Sequence, residues 1–361
     1  MRLGSIQFLR MIAALLIVYL HAIEIQVYVP PIYLGSIFRE INELGIGVDI
    51  FFVISGFIIS LTAGSYNGWR QCLHFLKKRF IRLNPVYYIA LLISLAVTIH
   101  HMMNHFMPGY QAFLKSIFLL PVADATVWNT SILPVSWTLN FEWLFYILFA
   151  LAIAIPVKNK PLFLIVLIFT LLAFRIIPGI TDVRIWFITS PILLEFVAGI
   201  GICLLYRRST PPRSIAYMLL IVGVGLSLCD MFFGSTIVNN PSGTVVGPVA
   251  FQRFLHMGIP ATMMVSGCIF LEKNALFWPL WNNRYVQLLG NASYSLYLSH
   301  YITYSVLAAL FVRLGPVLNI NLSIFLWFLI AIINGILFYR YVETPLLHKL
   351  RTFAPAARVP N

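Results

Sequence analysis

The sequence predicts an all-α, polytopic membrane helical bundle, and three observations carry that prediction. Of 361 residues, 60% are hydrophobic and only 10% charged, with a mean hydropathy of +0.90; a soluble chain is about a quarter charged. So few charges cannot clothe a water-facing surface of this length, which excludes an ordinary cytosolic enzyme, a secreted disulfide domain and a disordered chain. Ten stretches are long and apolar enough to cross a bilayer, at about 6–23, 47–63, 84–101, 138–156, 161–177, 185–206, 214–232, 251–271, 291–312 and 322–342, a crossing needing about 20 residues. None shows the alternation of a membrane barrel, so each is read as a helix.

The first stretch resembles a signal peptide, with Arg2 before apolar residues. Arg10 interrupts it, and Glu24-Ile25-Gln26 offers no small-residue cleavage site, so it is read as a retained span. Span 2 opens on Gly47-Val48-Asp49-Ile50-Phe51-Phe52, and span 3 follows a loop containing Lys77, Lys78, Arg79 and Arg82. Residues 102–136, with His105, Pro108 and an apolar piece from Phe113 to Leu120, are expected to lie flat on the outer leaflet. Span 4 opens on Trp137-Thr138-Leu139-Asn140-Phe141-Glu142. A Gly-, Ser-, Asn- and Pro-rich connection at 233–250 precedes the eighth span. With the N-terminus inside, 17 Lys and Arg fall in cytoplasmic segments and 6 outside, so both termini are expected in the cytoplasm.

The net charge of +13 then reads as loop anchoring to anionic headgroups rather than nucleic-acid binding. Cys72, Cys203, Cys229 and Cys268 have no paired spacing, so neither a disulfide framework nor a metal site is expected. The chain reads as one integral-membrane domain over 1–361, without an appended soluble domain or an internal repeat.

Ionisable groups inside hydrocarbon cost about 2.5–3.5 kcal/mol each at a helix centre, so they point to function. Arg10 and His21 lie 11 residues apart, which places them on one helix face about 16 Å apart along the axis. Glu24 follows His21 at i+3. By topology His21, Asp49, Asn140 and Glu142 share the outer leaflet, and a histidine beside carboxylates has the makings of an oriented general base. Arg79 and Arg82 are spaced to fork onto one phosphate group. Glu195 and His300 fall near mid-span, where each needs a partner or a cavity. Ordinary readings compete: a positive-inside anchor for the basic cluster, interfacial placement for His21, helix N-terminal charges for Asp49 and Glu142, and snorkelling for Arg10.

The order of motifs resembles acyltransferase family 3, the integral-membrane O-acyltransferases of bacteria, over residues 4–347. The marks are Arg10 and His21 in span 1; Gly47-Val48-Asp49-Ile50-Phe51-Phe52-Val53-Ile54-Ser55-Gly56-Phe57; Lys78-Arg79-Phe80-Ile81-Arg82-Leu83-Asn84-Pro85; and Ser136-Trp137-Thr138-Leu139-Asn140-Phe141-Glu142. Leu194-Glu195-Phe196 and Ala292-Ser293-Tyr294-Ser295-Leu296-Tyr297-Leu298-Ser299-His300 follow. The opening Ser5-Ile6-Gln7-Phe8-Leu9-Arg10 and Asn140-x-Glu142 are similar to the exopolysaccharide, succinoglycan-type, acetyltransferases.

The resemblance implies a bacterial cytoplasmic-membrane enzyme. It would move an acyl group, usually acetyl from acetyl-CoA, to a hydroxyl of an exopolysaccharide or lipid-linked glycan. In that reading Arg79, Arg82, Lys77 and Lys78 hold the CoA phosphates, the pantetheine arm threads past Arg10, and His21 deprotonates the acceptor. Asp49, Glu24 or Glu142 would orient His21, while Asn140, Trp137, Glu195 and His300 contact the acceptor. A covalent acyl-histidine is the second chemical route. A transporter of a lipid-linked sugar or organic anion is the rival class; the absence of a repeat and the lack of Gly/Pro-broken paired helices speak against it. A non-catalytic partner of polysaccharide-assembly proteins is a third.

Overall fold

The computed structural model describes residues 3–27, 42–101, 110–123, 131–177, 179–233, 246–247, 249–314 and 319–353. Among them it is helical, with no strand. In chain order the helices are α1 (Gly4–Val27), α2 (Ile46–Ala63), α3 (Trp69–His101), α4 (Tyr110–Ile117), α5 (Trp137–Ala154), α6 (Lys160–Phe174), α7 (Val183–Ile188) and α8 (Leu193–Arg208). There follow α9 (Arg213–Phe233), α10 (Ala250–Arg253), α11 (Ile259–Lys273), α12 (Trp278–Trp281), α13 (Arg284–Leu314), α14 (Ile320–Phe338) and α15 (Thr344–Phe353). Among the described residues eight segments are long and apolar enough to cross a membrane. The expected fifth span forms the 15-residue α6, and the ninth lies within α13, whose Ser, Tyr, Asn and His residues lower its hydropathy.

The helix α1 is the pivot, packing on α13, α2 and α14, while α2 packs on α8, α11 on α9, and α3 on α5. Glu272, near the end of α11, accepts the backbone N–H groups of Gly4 (2.8 Å) and Ser5 (2.9 Å) and the Ser5 hydroxyl (2.5 Å). A carboxylate there satisfies orphan donors and meets the positive end of the helix dipole, which fixes α1 in register. Glycine lets α2 and α8 touch backbone to backbone: a Cβ on Gly199 would stand 2.6 Å from the Phe57 nitrogen and 2.9 Å from the Gly56 carbonyl carbon. Small residues at such a crossing are how membrane helices gain packing without hydrophobic drive. The outer helix α9 has only 11% of its span buried within the protein.

Two expectations change. The basic motif is not in a loop: Lys77, Lys78, Arg79 and Arg82 lie within α3, which begins at Trp69. Lys and Arg are good helix formers, and their charge does not interrupt the backbone. The span expected at 185–206 is broken between α7 and α8 at Thr189-Ser190-Pro191-Ile192, where proline cannot continue a helix. The Thr189 hydroxyl bonds the Ile185 carbonyl at 2.8 Å there. Two spans contain π-helical turns, Phe254–Gly258 before α11 and Tyr339–Glu343 before α15. The connections holding His105 and Pro108, and most of 233–250, lie outside the described residues. Phe113 to Ile117 falls in the amphipathic α4. Cys72, Cys203 and Cys268 are buried free thiols, and Cys229 is exposed.

Candidate functional site

The polar side chains gather at three places. The first is a cavity of ≈ 340 Å³ between α1, α2, α3, α5 and α13. Arg10, Arg79 and Arg82 line it with Ser55, Glu142 and Tyr146, and Phe51 and Tyr297 form part of its wall. Glu142 accepts from Tyr146 (2.6 Å) and Ser55 (2.8 Å). Arg82 is paired at 2.6 Å with the buried Glu343, which also accepts from Ser295 at 2.7 Å. Arg79 has no carboxylate partner among the described residues. Its guanidinium lies 5.2 Å from the Phe75 ring centroid and 5.6 Å from that of Tyr146, and its buried Nε has no hydrogen bond. Three guanidiniums thus face two carboxylates, leaving at least one net positive charge beside an unsatisfied donor. That combination fits an anionic group.

The second place is the imidazole pair. His21 Nδ1 lies 3.0 Å from the Ile17 carbonyl, and His300 Nδ1 lies 2.9 Å from the Leu296 carbonyl. A carbonyl only accepts, so each neutral ring carries its proton on Nδ1. His300 Nε2 is 3.1 Å from His21 Nδ1 and accepts from it. The basic nitrogen of His21 is therefore Nε2, which faces Glu24 Oε2 at 3.7 Å. His300 is fully buried, whereas the His21 side chain is 20% exposed. Tyr297 connects this pair to the cavity: its ring lines the cavity and sits 5.9 Å from that of His300.

The third place is a buried cluster behind the cavity wall. Arg253 bonds Asp49 Oδ2 at 2.6 Å, lies 5.9 Å from the Trp137 ring centroid, and sits near the buried Glu195.

The expected convergence of His21, Asp49, Asn140 and Glu142 is therefore not what the fold builds. Ser55 lies six residues beyond Asp49, and Glu142 five beyond Trp137, so each is about 8–9 Å further along its helix. That rise carries Glu142 down to Ser55 and Arg10. Asp49 goes to Arg253, and the neighbour of His21 is His300. Asn140 is buried outside the cavity lining, Trp137 packs on Arg253 and Phe141, and Lys77 and Lys78 are exposed, Lys78 donating to Tyr66 at 3.1 Å. Arg82 and Arg79 do not fork together, because Glu343 holds the first. Tyr146, Arg253 and Glu343, which no motif marks, complete these sites, together with Ser55 and Tyr297, which lie within motifs but carry no assigned role in the sequence. Among the described residues no three His, Cys, Asp or Glu side chains gather as for a metal ion.

A double-mutant cycle tests the Arg82–Glu343 pair. Glu343→Gln and Arg82→Gln are each expected to lower the thermal midpoint in detergent, and the double variant to cost no more than the worse single. Their coupling should be about 0.5–3 kcal/mol; strict additivity would show that Glu343 does not hold Arg82.

A helical membrane bundle that encloses a cationic cavity beside a paired imidazole has the parts of a membrane-embedded group-transfer enzyme. The comparisons say which. A family model described as an acyltransferase domain, acyltransferase family 3, matches residues 3–340. The chain is 31% identical over 310 residues to the exopolysaccharide production protein ExoZ of Rhizobium meliloti, covering 84% of this chain and 90% of that one. It is 26% identical over 334 residues to the peptidoglycan O-acetyltransferase OatA of Listeria monocytogenes (83% of this chain, 51% of OatA). It is 24% identical over 395 residues to the acyltransferase MdmB of Streptomyces mycarofaciens (100% of this chain, 95% of MdmB). No solved structure matches. The chain belongs to acyltransferase family 3 and is a multi-pass membrane acyltransferase.

Proposed function

We propose that this protein transfers an acetyl group from cytoplasmic acetyl-CoA to a hydroxyl of an exopolysaccharide or lipid-linked glycan at the outer face of the bacterial inner membrane. It would do so as one integral-membrane domain crossing about ten times with both termini inside. The observation that carries the reading is the single helix α1. It bears Arg10 in a cationic cavity and, 11 residues on, His21 with Nε2 free to take a proton. The relatives ExoZ and OatA, an exopolysaccharide production protein and a peptidoglycan O-acetyltransferase, support the acceptor class and the reaction.

In this reading Arg10 and Arg79 attract the anionic groups of the donor, with Arg82 held beside them by Glu343. His21 Nε2 removes the proton from the acceptor hydroxyl as its oxygen attacks the thioester carbonyl, and the thiolate leaves with a proton. His300 accepts from His21 Nδ1 and fixes the ring, the part first given to Asp49, Glu24 or Glu142. Glu24 lies nearest the reacting nitrogen, and Trp137 and Asn140 remain acceptor-side candidates. Lys77 and Lys78, exposed on α3, suit the outer parts of a polyanionic donor or anionic lipid headgroups.

Phe51 and Tyr297, whose ring centroids are 6.4 Å apart, both line the cavity, and the Tyr297 ring is 5.9 Å from that of His300. Tyr297 is held by bonds to the Val135 carbonyl (2.6 Å) and the Thr138 hydroxyl (2.8 Å), while the Phe51 side chain has no polar tether. In this reading the donor reaches His21 by displacing Phe51, which otherwise keeps water from the thioester. Phe51→Ala is expected to raise acceptor-independent CoA-thiol release several-fold relative to transfer. An unchanged ratio would remove Phe51 from the route. The whole reading is tested by CoA-thiol release from purified protein with and without acceptor glycan, since a transporter releases none.

A further inference from the structure

The cluster behind the cavity wall has an unbalanced charge count. Asp49 from α2 and Glu195 from α8 are both fully buried, and Arg253 from α10 is 6% exposed. Arg253 gives one bond to Asp49 Oδ2. Among the described residues both Glu195 oxygens, Asp49 Oδ1 and Arg253 Nε find no hydrogen-bond partner, although Glu195 stands within hydrogen-bonding reach of Asp49. Two carboxylates against one guanidinium would leave a buried unit charge uncompensated, which a low-dielectric interior does not tolerate. Two adjacent carboxyl groups relieve this by keeping a proton between them.

Among the described residues the neighbours supply no other compensation. Trp137 of α5 and Tyr297 of α13 face Arg253. The π-turn presents Gly258, which has no side chain, to Glu195. His256 and Asp230 engage each other at 2.7 Å.

We propose that Asp49 and Glu195 form a binding site for one proton. Glu195 carries it and donates to Asp49 Oδ1, while ionised Asp49 pairs with Arg253. One hydrogen atom thereby satisfies an orphan on each carboxyl group and brings the cluster to zero charge. Asp49 then serves as the counter-ion that fixes α2 against α8 and α10, a positioning role. This inference does not depend on the proposed donor or acceptor.

The experiment is infrared difference spectroscopy with thermal unfolding, on the full chain in lipid nanodiscs at neutral pH, in buffers with and without sodium. The native protein should show a protonated-carboxyl C=O band that both Glu195→Gln and Asp49→Asn remove, since the surviving carboxyl group ionises against Arg253. Each single variant should keep a midpoint near the native one. The double variant D49N/E195Q strands the guanidinium, and its midpoint should fall by about 10 °C or more. Adding Arg253→Met to that double should restore most of the loss. A native spectrum without a band sensitive to either substitution would overturn the proposal. So would a double variant whose loss equals the sum of the singles, or stability that needs sodium, which would put a metal cation where the proton is assigned.

Discussion

Replacing His21 by alanine is expected to lower acyl transfer by about 10²–10⁴-fold, the usual worth of a positioned general base. Donor binding should change little, because Arg10, Arg79 and Arg82 line a cavity to which His21 does not contribute. Labelled acetyl transfer to glycan in membranes, measured beside donor KM, checks both parts. Near-normal transfer would remove His21 from the chemistry, and a rise in KM alone would move it to donor binding. His300→Ala should cost less, about tenfold, since the Ile17 carbonyl still holds the His21 proton on Nδ1. If the two alanine variants and their double proved equal, the imidazoles would be acting as a single unit.

The second large effect is structural. Gly199→Leu should prevent a stable bundle from forming. A side chain there meets backbone atoms of Val53, Gly56 and Phe57, so α2 and α8 must separate. Overpacking against main chain has no flexible neighbour to absorb it, and the loss should exceed about 3 kcal/mol. Separation would also pull Asp49 from Glu195 and open the cavity wall that α2 supplies. Gly201→Leu is the control: a Cβ there meets nothing within 4 Å. Monodispersity and yield of the two variants in mild detergent distinguish them. Equal behaviour would mean that the α2–α8 crossing is not the tight contact described.

Most of the bundle was legible because bilayer crossing depends on length and apolarity, which a sequence displays directly. The α7–α8 break was less legible. Thr189 to Ile192 is short and sits inside an apolar run, so hydropathy reads across it. A run of charge reads as a loop in sequence, although Arg79 and Arg82 are helical and still reach a polar cavity. Among site residues, the register of Arg10 and His21 followed from helix geometry alone. Their partners did not, because pairing is a tertiary fact: His300 lies 279 residues from His21, Glu343 lies 261 from Arg82, and Arg253 lies 204 from Asp49. Each of these partners stands at or near a chain irregularity or a span interior. Glu343 closes one π-turn, Arg253 precedes another, and single-residue bulges of this kind often mark sites.

The clamp of Glu272 on the first turn of α1 has a further meaning. Arg10 and His21 ride on one rod whose end is bolted down, so the distance between them behaves as a ruler. Inserting one residue between them would swing the imidazole by about 100° around the axis and lift it about 1.5 Å. Drift among descendants of this protein is therefore free to change what the intervening ten residues are, so long as they stay helical, but not how many there are.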